Sequence, residues 1–286
     1  MHIHRIAAFT KDGQGGNPAG VVLLDNLPSR ADMQAVASAV GYSETVFAAP
    51  RPGGSGSWIV RYFSPEVEVP FCGHATIALG AVLAQTHGAG RYPLSLAAAE
   101  IEVLSGEDNG NWWSVLRSPR TRSSRANALV LEKALELFGY NDDDLDPTIA
   151  ACLAHAGTEH LIIPLQSREA LARMTYELER GRDFMKDNSI GTVAFIFRKE
   201  ERVFHARSAF ATGGVLEDPA TGAAAAAFAG MLRDLGILIS GRIVIIQGED
   251  MGQPSLIEVD FSAEFGSSVE VRGITASLDK AGPATP

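Results

Sequence analysis

At 286 residues, 46% hydrophobic and 20% charged, the chain can bury a sizeable core and suffices for one large or two medium domains. Its formal net charge of −10 repels phosphate backbones and anionic membrane surfaces, which argues against nucleic acid and membranes as partners. The opening residues carry no basic stretch followed by a long apolar run, and two cysteines, Cys72 and Cys152, suit a reducing cytoplasm better than a disulfide framework.

Taken in chain order, β-branched or aromatic runs bounded by turn residues predict strands at 2–9 and 20–25, followed by a helix over 29–41 with Ser29 or Asp32 as its N-cap. Strands at 43–50 and 58–65 flank GGSGS (53–57), which reads as a hairpin turn rather than a phosphate loop because no Lys-Ser or Lys-Thr follows. A helix over 75–88 and a strand at 112–118 come next, with Trp112 and Trp113 fitting either core or interface. The basic, apolar-poor segment 118–127 reads as a crossing between lobes. Beyond it the pattern predicts a helix at 127–139, strands at 160–165, 192–197 and 203–210, a helix at 220–236, and strands at 242–248 and 256–261. A last strand at 269–276 precedes a tail, 278–286, expected to pack poorly.

Two of the helices, ATIALGAVLAQ and AAAAAFAGML, are apolar nearly all round, so each should run through the middle of a lobe, over 75–86 and 221–235. Phe71-Cys72-Gly73 before the first and Glu217-Asp218-Pro219 before the second lie 146 positions apart (72 to 218), and GNPAGVVLL and GTEHLIIPL lie 141 apart (16 to 157). Such a period reads as a duplication. It predicts two facing helix N-termini, a setting that favours bound anions.

Three polar clusters stand at element ends beside apolar segments: Ser43-Glu44-Thr45, Cys72-Gly73-His74, and the stretch from Glu217 to Gly222. Glu44, within GYSETVF, reads either as a general base or as a structural acceptor, since a carboxylate withdrawn from water must be paired or reactive. His74 is a cap, a packing residue or a proton-transfer group. Asp218 is a functional carboxylate or an N-cap, and Cys72 a thiolate at a helix N-terminus or a small buried residue. His2 and His4 share one side of the first strand without the further ligands a metal site needs. No HExxH, dinucleotide fingerprint or phosphate loop is present.

GNPAGVV (16–22), YSETVF (42–47), RYFSPEVEVPFCGHATIALGAVL (61–83), GGVLEDPATGAAAAA (213–227) and QGEDMGQPSLIEV (247–259) together resemble the phenazine biosynthesis PhzF-like protein family, in order and across nearly the whole chain. The resemblance implies an α/β (α+β) fold like that of diaminopimelate epimerase: two pseudo-symmetric lobes, each a curved sheet around a central helix. They would span 1–118, joined by the returning strand 269–278, and 127–268, with an active-site cleft between them. It implies a cytoplasmic, homodimeric isomerase that uses neither metal nor organic cofactor and acts on a small carboxylate-bearing substrate. Glu44 takes the place of the family's acid/base, with His74 and Asp218 guiding substrate and proton. Asn17, Gly73, Thr221, Gly222 and Ala223 fall at substrate-binding positions, Ala223 standing where the family often has a serine. Cys72 occupies one of the two cysteine places of the epimerases and Asp218 the other, which leaves a Cys72–Asp218 racemase or a non-catalytic acid-binding protein as alternatives.

Overall fold

The two all-round apolar helices each have a sheet wound about them, and strand pairing explains how. The computed structural model describes residues 1–53, 56–97 and 99–279, and the chain divides into one unit of Met1–Arg117 with the residues from Arg272 onward, and a second of Ser118–Val271.

In the first unit the order is β1 (His4–Ala8), β2 (Asn17–Leu23), α1 (Arg30–Val40), β3 (Glu44–Pro50), β4 (Trp58–Phe63), β5 (Glu68–Val69), α2 (Gly73–His87), β6 (Gly90–Ser95), β7 (Glu100–Asp108) and β8 (Asn111–Arg117). The last strand of the chain, β17 (Glu270–Ser277), pairs with β1 and β8. Following the pairings through β3, β2, β1, β17, β8, β7, β6 and β4 returns to β3, so these eight strands close into a ring. Inside the ring, α2 packs against β1, β2, β3, β6, β7 and β8, and every residue from His74 to Ala84 is buried. A helix in that position has no use for a polar face, which is why its sequence lacks one. Burying Ile77, Leu79, Val82 and Leu83 contributes ~1.5–3 kcal/mol each. Outside the ring α1, capped by Ser29 accepting from the Asp32 amide, lays Met33 and Ala37 on Val22, Phe47 and Phe63.

The second unit runs β9 (Arg122–Arg125), α3 (Ala128–Phe138), β10 (Cys152–His155), β11 (Glu159–Leu165), α4 (Arg168–Ala172), α5 (Leu178–Asp187), β12 (Thr192–Arg198), β13 (Val203–Ala209), β14 (Glu217–Asp218), α6 (Gly222–Asp234), β15 (Gly241–Gln247) and β16 (Ser255–Phe261). Its strands lie in the order β9, β10, β11, β12, β13, β15, β16, with β14 added to β13. Helix α6 packs against β9, β10, β11 and β16 and is buried from Ala224 to Arg233. The outer helices α3, α4 and α5 cover the opposite face of β11 and β12 through Phe138, Leu161, Ile163, Met185 and Phe195.

The internal repeat is written in the registers. The succession antiparallel, parallel, antiparallel, antiparallel, parallel, antiparallel that links β1 to β7 recurs from β10 to β16. Ala19 pairs with Glu44 as His160 pairs with Thr192, and Phe63 pairs with Glu68 as Ala209 pairs with Glu217.

Several expectations change. Segment 118–127 is more than a crossing: Thr121 is buried and 122–125 form β9, whose backbone pairs with β10 while Ser123 Oγ donates to Asp234 of α6 and Arg122, Ser124 and Arg125 stay exposed. Backbone pairing, with no apolar alternation, makes this strand. Helix α5 was not signalled, because only Gly181 and Met185 of its ten residues are buried. Asp218 is no N-cap; it ends β14, and Thr221 stands at the N-cap position of α6 without a side-chain cap bond. Within the GGSGS turn, residues 54 and 55 lie outside the described residues, although β3 and β4 pair out to Pro50 and Trp58. Of the tail, 280–286 also lie outside them, while the Leu278 amide bonds to the Arg5 carbonyl and Asp279 pairs with Arg5.

Candidate active site

In the first unit, three element ends bring Asn17, Ser43, Glu44, Cys72 and His74 together. Asn17 opens β2, Glu44 opens β3, and Cys72 and His74 flank the first residue of α2. His74 is the hub. Its Nε2 lies 3.4 Å from Glu44 Oε2 and 3.4 Å from Ser43 Oγ, while its Nδ1 lies 3.3 Å from both Asn17 Nδ2 and Cys72 Sγ. With the Asn17 amide assigned in that orientation, its N–H donates to Nδ1, so a neutral ring carries its proton on Nε2, facing the Glu44 carboxylate. Glu44 and His74 are 9% and 6% exposed, so both polar groups are largely withdrawn from water.

The start of α2 is anchored from behind. Thr76 Oγ1 donates to the Cys72 carbonyl at 2.7 Å and in turn accepts from Tyr62 Oη at 2.7 Å. Burial pushes the Tyr62 phenol well above its ordinary range, so it remains a donor at any working pH. The first helical bond of α2 runs from the Thr76 amide to the Cys72 carbonyl, and no side chain caps the turn. The Gly73, His74 and Ala75 amides therefore lie ahead of the helical ladder, where the helix dipole favours an anion.

Asp218, Thr221, Gly222 and Ala223 belong to the second unit. There Thr221 Oγ1 donates to Asp218 Oδ2 at 2.6 Å, and Gln247 Nε2 donates to the Asp218 carbonyl at 2.6 Å and to Thr221 Oγ1 at 3.1 Å. Gln247 Oε1 accepts from the Thr221 amide at 3.3 Å. A 2% exposed glutamine thus fixes the EDPATG turn from both sides. Sequence reasoning gave Gln247 no role, although it opens the QGEDMG motif. Its neighbour Gly248 has φ 76°, and a Cβ there would stand 2.8 Å from the Pro219 carbonyl, so the motif's glycine lets β15 approach the turn. As in α2, no side chain caps α6.

The register also revises one equivalence. Counting from the Glu68 and Glu217 pairings, Thr221 rather than Asp218 corresponds to Cys72, and Ala223 corresponds to His74. Thr192, the counterpart of Glu44, shares a 2.7 Å hydrogen bond with Nδ1 of His160, and burial lowers the His160 pKa to about 3. The acid–imidazole pair of the first unit has no ionisable copy at those positions.

The chain was compared with known proteins. The sequence profile of the phenazine biosynthesis-like protein family matches residues 6–281. An uncharacterized isomerase of Deinococcus radiodurans is 33% identical, the match covering 94% of this chain and 86% of that protein. The trans-2,3-dihydro-3-hydroxyanthranilate isomerase of Pseudomonas fluorescens is 30% identical, covering 94% of each. Among solved structures, a phenazine biosynthesis protein of Bacillus anthracis superposes with a TM-score of 0.85 at 21% identity, over 97% of this chain and 96% of that one. Among the described residues, no helix is long and apolar enough to cross a membrane.

Proposed function

The chain belongs to the phenazine biosynthesis-like family, and we propose that it is an isomerase that relocates a proton on a small carboxylate-bearing substrate, with Glu44 as the acid/base. The observation that carries this reading is the 3.4 Å approach of Glu44 Oε2 to His74 Nε2 in a largely buried setting at the mouth of α2. Glu44 removes a proton from a carbon next to a carbonyl or unsaturated group: the C–H bond breaks, a carboxyl O–H forms, and the electron pair delocalises into the adjoining π system. Returning that proton at another carbon completes the isomerisation with no net change in composition. The Nε2–H of His74 orients the Glu44 carboxylate and stabilises it before the transfer.

The substrate carboxylate would rest on amides at the start of α2, near Gly73 and His74, with Asn17 beside them. Association as a homodimer in the cytoplasm belongs to the same reading. Sedimentation giving a monomer at micromolar concentration would remove the dimer without touching the chemistry.

A racemase using Cys72 draws on one observation, the 3.3 Å approach of its Sγ to His74 Nδ1. It is the weaker reading, because its second base would be Asp218, and the position matching Cys72 in the repeat is Thr221 rather than Asp218.

The substrate class is tested by incubating the protein with small carboxylic acids. trans-2,3-Dihydro-3-hydroxyanthranilate, the acid in the name of the Pseudomonas relative, comes first. Products would be read by NMR and mass spectrometry. The expected result is a product of unchanged mass with a displaced C–H. A product of altered mass, or no conversion of any acid in the series by folded protein, would sink the reading.

A further inference from the structure

Glu44, Cys72 and His74 also meet a requirement that proton transfer does not impose. Each offers one ligand atom, a carboxylate oxygen, a thiol sulfur and a ring nitrogen, and the three atoms lie within 4.8 Å of one another. We propose that they form a binding site for a single Zn²⁺ ion, with His74 bonding through Nε2 and a fourth position left to water. Tetrahedral zinc with ligand bonds of about 2.0–2.3 Å holds its donors roughly 3.4–3.6 Å apart. The observed separations from His74 Nε2 are 3.4 Å to Glu44 Oε2 and 3.9 Å to Cys72 Sγ, and no two of the ligand atoms lie more than 4.8 Å apart, so an ion draws the thiol and the carboxylate inward.

Charge fits as well. Zinc displaces the thiol proton, and the resulting thiolate and the Glu44 carboxylate together neutralise the dication while the imidazole remains neutral. The group behind His74 suits a ligating ring, whose second nitrogen carries a proton and donates it to an acceptor. Asn17 stands 3.3 Å from Nδ1, and turning its amide over presents Oδ1 as that acceptor. The second unit cannot repeat the site, because the corresponding positions hold Thr192, Thr221 and Ala223.

The site also has a consequence that rests on the function proposed above. An ion bonded to Glu44 and His74 withdraws both from proton transfer, so zinc and turnover exclude one another.

The test uses the full chain, freed of metal by chelation and titrated with Zn²⁺ against a chromogenic chelator, and in parallel with Co²⁺, whose bond to a thiolate gives a charge-transfer band in the near ultraviolet. The expected result is one ion per chain and a thiolate band that disappears in Cys72→Ser but persists in Cys152→Ser. Asn17→Ala should weaken zinc binding about 10–100-fold, the usual effect of removing a group behind a ligand, and His74→Gln by more. Each variant is first checked for native circular dichroism, and His74→Gln stands in should Cys72→Ser fail to fold. No binding by folded protein, or binding indifferent to both Cys72→Ser and His74→Gln, would overturn the site. Turnover of whatever acid the protein converts should fall as zinc fills the site and return with chelator. Zinc bound at these ligands with turnover unchanged would leave the site standing and overturn both the exclusion and the proton-transfer reading.

Discussion

The two units share a strand order and a buried central helix yet differ in what stands at the helix mouth. In the first, α2 begins Cys72-Gly73-His74 beside Glu44, whereas in the second, α6 begins Thr221-Gly222-Ala223 and the strand position of Glu44 holds Thr192. Structural devices were kept in both copies. Arg61 grips Glu68 with two hydrogen bonds of 2.7 and 2.6 Å, and Arg207 grips Glu217 at 3.0 and 2.6 Å, at matching registers of β4–β5 and β13–β14. The scaffold is thus twofold and the acid–imidazole pair one-sided: repetition preserves what pins a strand to its neighbour and releases the residues at the helix mouth.

The largest expected effect tests that asymmetry at one residue pair. Glu44→Gln, which preserves size and much of the hydrogen bonding, should lower kcat by ~10²–10⁴ with the fold intact, while Thr192→Val at the matching position should leave kcat within a factor of a few. Steady-state kinetics with circular dichroism on both variants decides it, and equal losses would erase the distinction between the units.

Next come the two arginine clamps. In the Arg207–Glu217 pair the side chains are 12% and 7% exposed, against 27% and 23% for Arg61–Glu68. Arg207→Met strands a buried carboxylate and should cost ~3–5 kcal/mol, whereas Arg61→Met, better reached by water, should cost about 1–2 kcal/mol. Urea unfolding of both variants measures the difference. A reversed order would mean that burial does not set the strength of these clamps.

A third contrast is pH-dependent. His160, whose partner position in the first unit is Ala19, has its pKa lowered by burial to about 3. Above pH 6.5 folded and unfolded chains both hold it neutral, and below that only the unfolded chain takes up a proton. Stability should therefore fall as the pH drops from 6.5 toward 3, by up to ~1.4 kcal/mol per unit from this residue. His205, also lowered chiefly by burial, adds in the same direction. Unfolding free energies at pH 7 and pH 5 should differ by about 2 kcal/mol or more, and His160→Asn should flatten the slope. An unchanged slope in that variant would contradict the assignment.

The smallest effect concerns the central helices themselves. A Cβ on Gly80 would overlap Ser105 Oγ and stand 2.8 Å from Ser114 Oγ, and one on Gly230 would stand 2.6 Å from Thr121 Cβ. Alanine at either place should destabilise by ~1–3 kcal/mol from overpacking, less up to ~1 kcal/mol gained in helix propensity. Thermal melts that rise in both variants would show the surrounding strands to be looser than the packing implies.

Much of this was legible in the sequence wherever a single physical signal dominated. All-round apolarity marked α2 and α6, and the 141-position offset between GNPAGVVLL and GTEHLIIPL equals the Ala19 to His160 spacing in the registers. The 146-position match of Cys72 with Asp218 did not hold, because three more residues separate Ala209 from Glu217 than Phe63 from Glu68 and shift the frame to Thr221. Insertions of that kind leave no periodic trace. Strand β9 and helix α5 were missed because polar backbone pairing and long charged side chains carry no burial pattern. The cluster around His74 was only half legible: Glu44, Cys72 and His74 stood out at element ends, but the approach of Asn17 and Ser43 to the two ring nitrogens depends on which strands neighbour α2, and that is settled by closure of the ring.

The central claim, that Glu44 carries the proton, is tested most directly by running turnover of a converted acid in D₂O and locating deuterium by NMR in product and recovered substrate. Wild-type protein should introduce deuterium at the carbon that gains the proton, Cys72→Ser should do the same, and Glu44→Gln should introduce none. Deuterium uptake that continues unchanged in Glu44→Gln and disappears in Cys72→Ser would assign the proton to the thiol and contradict the account.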